Sequence, residues 1–287
     1  MMDFITKPYI AKGITHAGVF HADDVFSTAL LRLINPKIEI ERVFKVPEDI
    51  DVNATTGTVV YDIGDGKFDH HHGTLKKRAS GCPKAAFGLL WEYYGPYLTK
   101  FDEKAWKIVD ETLVRFIDEH DNGFNMGNPI SVIFGSFNPH WDEKVDPNDQ
   151  FITAVSIAEE LLERHISSAN ATIRAEDTIA AFYDKAENHT MVMDLYAPWK
   201  DFIDEKNNGK IMLDSKNIWF VVYPSNRGGW CIQSYSSEKY PLPAEWLINL
   251  PDDMTFCHKA RFLASVKTKE KALEYAAIAV NRIIEDH

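Results

Sequence analysis

The chain has 287 residues, 45% apolar and 26% charged, with 15 Gly and 13 Pro, a composition that excludes collagen-like, low-complexity and wholly disordered chains and leaves one large or two ordinary folded domains. A formal charge of -12 argues against a general electrostatic hold on duplex DNA; residues 101–187 carry 18 acidic against 7 basic groups, so the acidity is local and a local grip on a single strand stays open. Three scattered cysteines without a C-x-x-C pair, no run near the roughly 20 apolar residues of a membrane span, and an N-terminus without a signal-like apolar stretch give the expectation of a soluble, cytoplasmic protein with no membrane partner.

In chain order, Ile14–Val19 reads as a strand, followed by Val25, Phe26, Ala29, Leu30 and Leu33 at the spacing of one helix face. Between them stand His16, His21, Asp23 and Asp24. One of the two aspartates serves as a helix N-cap on the ordinary reading, and His16 reads equally as a packed core histidine or as a ligand. Ile38–Val43 and Thr58–Ile63 are further strands, and the second runs into Gly64-Asp65-Gly66-Lys67-Phe68-Asp69-His70-His71-His72. A carboxylate at a strand's carboxyl end, with another carboxylate and imidazoles a few residues on, gathers metal-ligating groups at the edge where α/β proteins place their sites. Two such clusters, each at a strand end of one parallel sheet, can face the same crevice.

Lys76-Lys77-Arg78 and Lys84 form a basic segment before the next helix, either a solvated loop or a phosphate contact. Helices are expected over Ala85–Tyr94, Phe101–Glu119 and Ile152–Glu187, the last divided near Ser167–Ala171. Asp118-Glu119-His120-Asp121-Asn122-Gly123 is either an acidic helix end stopped by Gly or, since carboxylates there oppose the helix dipole, part of a metal site. Past a boundary between Glu187 and Thr190, short strands (Thr190–Leu195, Asn217–Tyr223, Trp230–Ser234, Phe256–Val266) precede a helix over Thr268–Ile284 with Ala272, Leu273, Ala276, Ala279, Val280 and Ile283 on one stripe. The fold class expected is α/β: an N-terminal domain, 1–187, with a mostly parallel sheet flanked by helices, and a smaller α/β domain, 188–287. No Rossmann fingerprint, G-x-S-x-G elbow or H-E-x-x-H is found.

Asp69-His70-His71 after Asp62, with His21-x-Asp23 upstream, looks like the DHH phosphoesterase superfamily. More closely, Thr15-His16-Ala17-Gly18-Val19-Phe20-His21-Ala22-Asp23-Asp24 resembles the opening motif of the Myg family, and Phe137-Asn138-Pro139-His140-Trp141, Ala197-Pro198-Trp199-Lys200, Pro241-Leu242-Pro243, Trp246 and Lys267-Thr268 continue the likeness along the chain. That resemblance implies a metal-dependent 3'-5' RNA exonuclease with its site in a cleft between the two domains. It implies His16, His21 and Asp62 on one cation and Asp23, Asp62, His70 and Asp121 on the other, Asp121 being preferred to Asp118 by the family's D-N-G. It also implies His71 toward the scissile phosphate, Asp69 orienting the histidines, and a water activated by two metals. Mixed imidazole and carboxylate donors suit Mn2+ better than Mg2+, another divalent cation staying open.

Two departures bear on the substrate. His72 stands where Gln is usual, and Cys257-His258-Lys259-Ala260-Arg261-Phe262-Leu263-Ala264-Ser265-Val266 replaces a glycine-richer stretch, so the expected substrate contacts are side chains: His258 and Arg261, with Lys76, Lys77 and Arg78. The partner expected is a short single-stranded RNA. A small phosphoester, cyclic dinucleotide or pyrophosphate at the same site, and a non-catalytic metal- or RNA-binding protein, are the alternatives; the sequence does not fix the oligomeric state.

Overall fold

A three-stranded parallel sheet of order β2-β1-β3 organises the N-terminal half of the computed structural model, which describes residues 7–71, 76–209, 214 and 216–286. β1 (Ile10–His16) lies between β2 (Glu39–Val43) and β3 (Gly57–Val60), and the parallel sense is the one expected from strands alternating with helices. β1 begins earlier than the strand expected from Ile14 and ends at His16, because the chain then turns through Gly18 at φ +90. The turn is pinned by Asn138, whose Oδ1 accepts from Phe20 N at 2.9 Å and whose Nδ2 donates to Phe20 O at 2.7 Å.

α1 (Ala22–Ile34) follows. Its pattern predicts one apolar face, yet Asp23, Asp24, Ser27 and Thr28 on the other faces are buried as well. It is a central helix, enclosed by β1, α2 (Ala86–Leu98), α4 (Arg115–Asp121) and α5 (Pro129–Gly135). Phe26 packs its ring against Phe87 and Phe134, with centroids 5.5 and 4.9 Å away. The helix expected over Phe101–Glu119 is α3 (Glu103–Val109), which runs through one π turn (Asp110–Val114) directly into α4. α5 has seven residues, too few for a periodic signal, although Asn128 caps it by accepting from Ile130 N at 2.9 Å and Pro129 opens it. The break expected near Ser167–Ala171 is absent. α6 (Pro147–Tyr183) is one helix of 37 residues, since Ser and Asn lower helix propensity without interrupting the hydrogen-bond ladder as Pro does.

The chain forms two units, Met1–Ala171 and Thr172–His287. The division falls inside α6, upstream of the boundary expected near residue 187, because the last turns of that helix contribute Ile179 to the second unit's core. That unit holds a five-stranded sheet of order β4-β5-β6-β8-β7, with β4 (Thr190–Val192) parallel to β5 (Phe220–Pro224) and the remaining pairs antiparallel. The single strand expected over Phe256–Val266 is instead a hairpin of β7 (Met254–Cys257) and β8 (Leu263–Val266), turned by Arg261 at φ +54 and closed by His258 N donating to Leu263 O at 2.8 Å. Phe220, Val222 and Val266, with Ile232 of β6 (Trp230–Ser234), pack against α8 (Lys269–Glu285); the alternate residues Val221, Tyr223 and Cys231 pack against Ile179, Trp199 and Ile203 of α6, α7 (Lys200–Asn207) and the chain before it. Leu273, expected on the buried stripe of α8, is 40% exposed. Among the described residues no helix is long and apolar enough to cross a membrane.

The β5–β6 turn depends on Gly229, which sits at φ +72 and whose added Cβ would fall 2.3 Å from Val266 O, whereas nothing lies within 4 Å of a Cβ at Gly127. Gly229→Ala is expected to lower the urea midpoint of the full chain by an amount worth about 1–3 kcal/mol, with Gly127→Ala nearly silent. Equal effects would show that this approach does not constrain the sheet.

Candidate metal centre

The loop after β3 brings its own end back to its beginning. Asp62 N donates to Phe68 O at 3.0 Å, and Gly66 passes so close to Val52 that a Cβ would meet its carbonyl oxygen at 2.1 Å. Asp62 takes φ +56, a region that Asp tolerates better than most residues. The reversal places His70 Nε2 at 3.1 Å from Asp62 Oδ1, while His16 Nε2, at the end of β1, lies 3.2 Å from Asp62 Oδ2. The two oxygens of one carboxylate therefore face two imidazoles from different strand ends.

Around each imidazole stands a further set of carboxylates. Asp24 Oδ2 is 3.3 Å from His16 Nε2; Asp121 Oδ2 and Asp23 Oδ2 are 3.3 and 3.7 Å from His70 Nε2. Among the described residues three groups result in which every ligating atom is within 4.8 Å of the others: His16, Asp24 and Asp62; Asp23, His70 and Asp121; and Asp62, His70 and His71. His16, Asp23, Asp62, His70 and Asp121, singled out in the sequence, converge. His21 belongs to none of the three groups: its ring is centred 6.2 Å from that of His16, its backbone N donates to Asp24 Oδ1 at 2.8 Å, and Asp24 stands beside His16 and Asp62 in its stead. The N-cap of α1 is thus His21 and not, as expected, one of the two aspartates; Asp24, at the third position of the helix, closes the capping box with Oδ1 and leaves Oδ2 toward His16. The sequence pointed to a capping role at the helix start without its position; the nearness of Oδ2 to His16 depends on a fold that buries that start.

The donor set fits a divalent cation. Asp24 Oδ2 is buried and, despite its nearness to His16, has no partner in hydrogen-bond geometry among the described residues. His16 Nδ1 lies 3.3 Å from its neighbour's carbonyl, Ala17 O, so once the imidazole has lost its Nε2 proton, donation from Nδ1 keeps the other proton there and turns the Nε2 lone pair toward a cation. Burial pushes the Asp24 carboxyl up to about 7 and the Asp23 carboxyl well above the usual range, Asp62 and Asp121 adding like-charge repulsion at Asp23. Asp121 is raised for the same reasons, burial first. Burial opposes the charged form of His16 as well, but the hydrogen bond that it donates to Asp62 and the charge of Asp24 outweigh it and hold the imidazole up at about 9. Asp62 moves the other way, burial being overcome by its bonds to His16 and His70.

A second layer fixes the first. α2 starts beside the cluster, and its backbone donors are taken by two aspartates from elsewhere: Asp23 accepts from Ala86 N at 3.0 Å and Phe87 N at 2.7 Å, Asp118 from Ala85 N at 3.2 Å and Gly88 N at 3.1 Å. The positive end of the helix dipole thus meets two negative charges. Arg78 corrects an expectation. It is not a free phosphate contact: its guanidinium is 7% exposed and bonds Asp110 through NH1 at 2.8 Å and Asp118 through NH2 at 2.6 Å, which also explains why Asp118 is committed to α2 and Asp121 to His70. Lys76 and Lys77 are exposed, Lys76 pairing with Glu92 at 3.2 Å.

Asp69 Oδ1 lies 2.7 Å from His71 Nδ1 and accepts from His71 N, and its other oxygen accepts from Asp65 N at 2.7 Å. His258 and Arg261 stand on the β7–β8 turn of the second unit, where His258 with Arg227 and Tyr196 lines a cavity of about 940 Å3. A smaller cavity of about 340 Å3 adjoins the cluster itself, lined by His21, Asp23 and Asp121 among others. The smaller one shares Asp23 and Asp121 with the group around His70. His72 lies outside the described residues.

A family profile, described as an uncharacterised protein family, UPF0160, and labelled MYG1_exonuc, matches residues 12–280. The MYG1 protein of Dictyostelium discoideum is 24% identical, the alignment covering 93% of this chain and 96% of that one, and the MYG1 exonuclease of Homo sapiens is 26% identical over 91% and 84%. Among solved structures, RecJ from Thermus thermophilus in complex with Mg2+ aligns with 96% of this chain at 15% identity and a TM-score of 0.30, this chain covering 50% of that one.

Carboxyls and imidazoles held above their unfolded values contribute stability at low pH that is lost as pH rises, from about 4 to about 7 for Asp24 and from about 6.5 to about 9 for His16. The metal-free protein therefore loses stability across that window, while a cation gains its deprotonated donors. The rise in thermal midpoint on adding Mn2+ should be larger at pH 8 than at pH 5.5, as read by differential scanning calorimetry. A rise independent of pH would argue against these donors.

Proposed function

The chain belongs to the MYG1 exonuclease family, UPF0160, and on that premise we propose that it is a metal-dependent phosphodiester hydrolase, removing nucleotides from the 3' end of a short single-stranded RNA. The observation that carries the reading is Asp62, whose two oxygens face His16 and His70, each with its own further carboxylates. His16, Asp24 and Asp62 would hold one divalent cation and Asp23, Asp62, His70 and Asp121 another, the mixed imidazole and carboxylate set favouring Mn2+. Bound there, such ions neutralise phosphate oxygens and lower the pKa of water, which removes the need for a protein nucleophile.

The remaining steps fall to side chains. Asp69 fixes His71 through Nδ1 and holds the imidazole in its protonated form more strongly than usual, chiefly by that hydrogen bond. His71 is about half exposed, so its Nε2 is free to meet the substrate and to give a proton to the sugar oxygen that leaves as water adds to phosphorus. Lys76 and Lys77 provide exposed positive charge along the chain's path, and His258 and Arg261 are proposed as phosphate contacts of the second unit.

With Mn2+, the purified protein should release mononucleotides from an end-labelled oligoribonucleotide. Asp62→Asn is expected to lower kcat by at least about a hundredfold, the scale of losing a main electrostatic element of a site. Lys76→Ala with Lys77→Ala should raise KM a few-fold. Turnover surviving Asp62→Asn would remove this cluster as the active site.

A further inference from the structure

The cavity of about 940 Å3 in the second unit is lined by Arg227 and His258 and, among the described residues, by no carboxylate, in a chain of net charge -12. The register of the sheet builds its floor. Tyr223 pairs with Cys231, Cys231 with Ser265, and Phe256 with Ser265, and residues directly opposite one another in neighbouring strands share a face. β7 carries one extra residue between Met254 and Phe256. Without that bulge Phe256 would fall opposite Ala264, on the face packed against α8; with it, the ring moves to the face of Ser265 and Cys231. One row of side chains thus crosses β5, β6, β8 and β7, about 14 Å long at about 4.8 Å for each of three gaps. Its middle is small and its ends are aromatic. Tyr223 and Cys231 are buried and serve only as floor. The rings a ligand meets are Tyr196, 61% exposed and packed against Tyr223 with centroids 5.2 Å apart, and Phe256, 43% exposed and set against His258 at 6.1 Å.

The polar part of the lining donates. Arg227 is exposed on the β5–β6 turn, where its N donates to Ser225 Oγ at 3.2 Å and Ser225 N closes the turn on Gly229 O at 3.0 Å. His258 Nδ1 accepts from Ala260 N at 3.1 Å, so the neutral imidazole carries its proton on Nε2, a second donor. Exposed aromatic faces beside cationic and N–H donors match a single nucleic-acid strand, whose bases stack on rings and whose phosphates take the donors. The volume stands at the upper end of ligand pockets, about 300 to 1,000 Å3, so there is room for more than one nucleotide. We infer that this sheet face is a platform for two successive nucleotides of a single strand, one base stacked on Tyr196 and the next on Phe256, with Arg227 meeting a phosphate. The inference takes its ligand from the nuclease reading and deepens it: stacking tolerates any base, so the platform senses the length of a strand and not its sequence.

The test is isothermal titration of the full chain in EDTA, without turnover, using adenosine monophosphate and oligoadenylates of two to five nucleotides. Affinity should rise about tenfold from the mononucleotide to the dinucleotide, the worth of a second stacked base. Tyr196→Ala and Phe256→Ala should each weaken the dinucleotide about tenfold, while Tyr196→Phe and Phe256→Tyr, which keep a ring, bind as the wild type does. Both side chains are exposed, so the thermal midpoints should hold, and Ile248→Ala, exposed elsewhere in the unit, should change nothing. Arg227→Ala should make the dependence of log affinity on log salt shallower by about 0.7, the share of one phosphate on a single strand. A mononucleotide bound as tightly as the dinucleotide, ring variants that bind like the wild type, or no binding by the wild type would each overturn the platform. The nuclease reading is judged apart, by release of mononucleotides from the wild type with Mn2+. Release together with indifferent ring variants leaves the nuclease and ends the platform; ring-dependent binding without release ends the nuclease and leaves a surface that holds single strands.

Discussion

Four carboxylates within one small volume, three of them almost wholly out of water, set the terms for everything around them. Asp23, Asp24 and Asp62 are 1%, 0% and 4% exposed, and Asp121 completes the group. Charges so placed repel one another and lose their hydration, which a folded chain tolerates only when each is paired, hydrogen-bonded or bound to a cation. His16 and His70 supply part of the compensation and the start of α2 another part. The rest is left to a divalent cation, which the remaining excess of negative charge and the imidazole and carboxylate donors suit.

The compensation is layered. Asp23 is oriented by Ala86 and Phe87 N–H groups; the same helix start is held from the other side by Asp118, and Asp118 by Arg78. Gly88 belongs to this arrangement, since a Cβ there would fall 2.2 Å from Asp118 Oδ2. The basic segment after the histidines thus divides between adjacent residues: Lys76 and Lys77 face solvent, while Arg78 turns inward. Arg suits the inward place because its planar fork reaches two carboxylates at once, which a lysine does not.

The legible part of the site was the part written in short, local clusters at strand ends. Asp62, Asp69, His70 and His71 lie on one loop, and His16 and Asp23 at the other strand end, so the parallel sheet alone brings them near. Asp23 and Asp24 carried the ordinary signal of an N-cap, a position that His21 takes, and the second oxygen of Asp24 becomes informative only because α1 is buried on all sides. Arg78 and Asp118 are 40 residues apart in sequence; nothing local distinguishes such an inward pair from a solvated basic loop and an acidic helix end. In the fold, the parallel sheet and the long helices followed from periodicity. α5 and α7 are too short for that signal, and the β7–β8 turn was hidden because its φ-positive residue is Arg261, where a glycine or asparagine is the usual mark.

The most direct test of the account is anomalous diffraction at the manganese edge from crystals of the Mn2+-loaded protein. It predicts two peaks about 3.5–4 Å apart, the spacing of two-metal sites, one beside His16 and Asp24, the other beside Asp23, His70 and Asp121, with the Asp62 carboxylate reaching both. A single ion that Asp62 does not touch, or ions bound away from these residues, would contradict it.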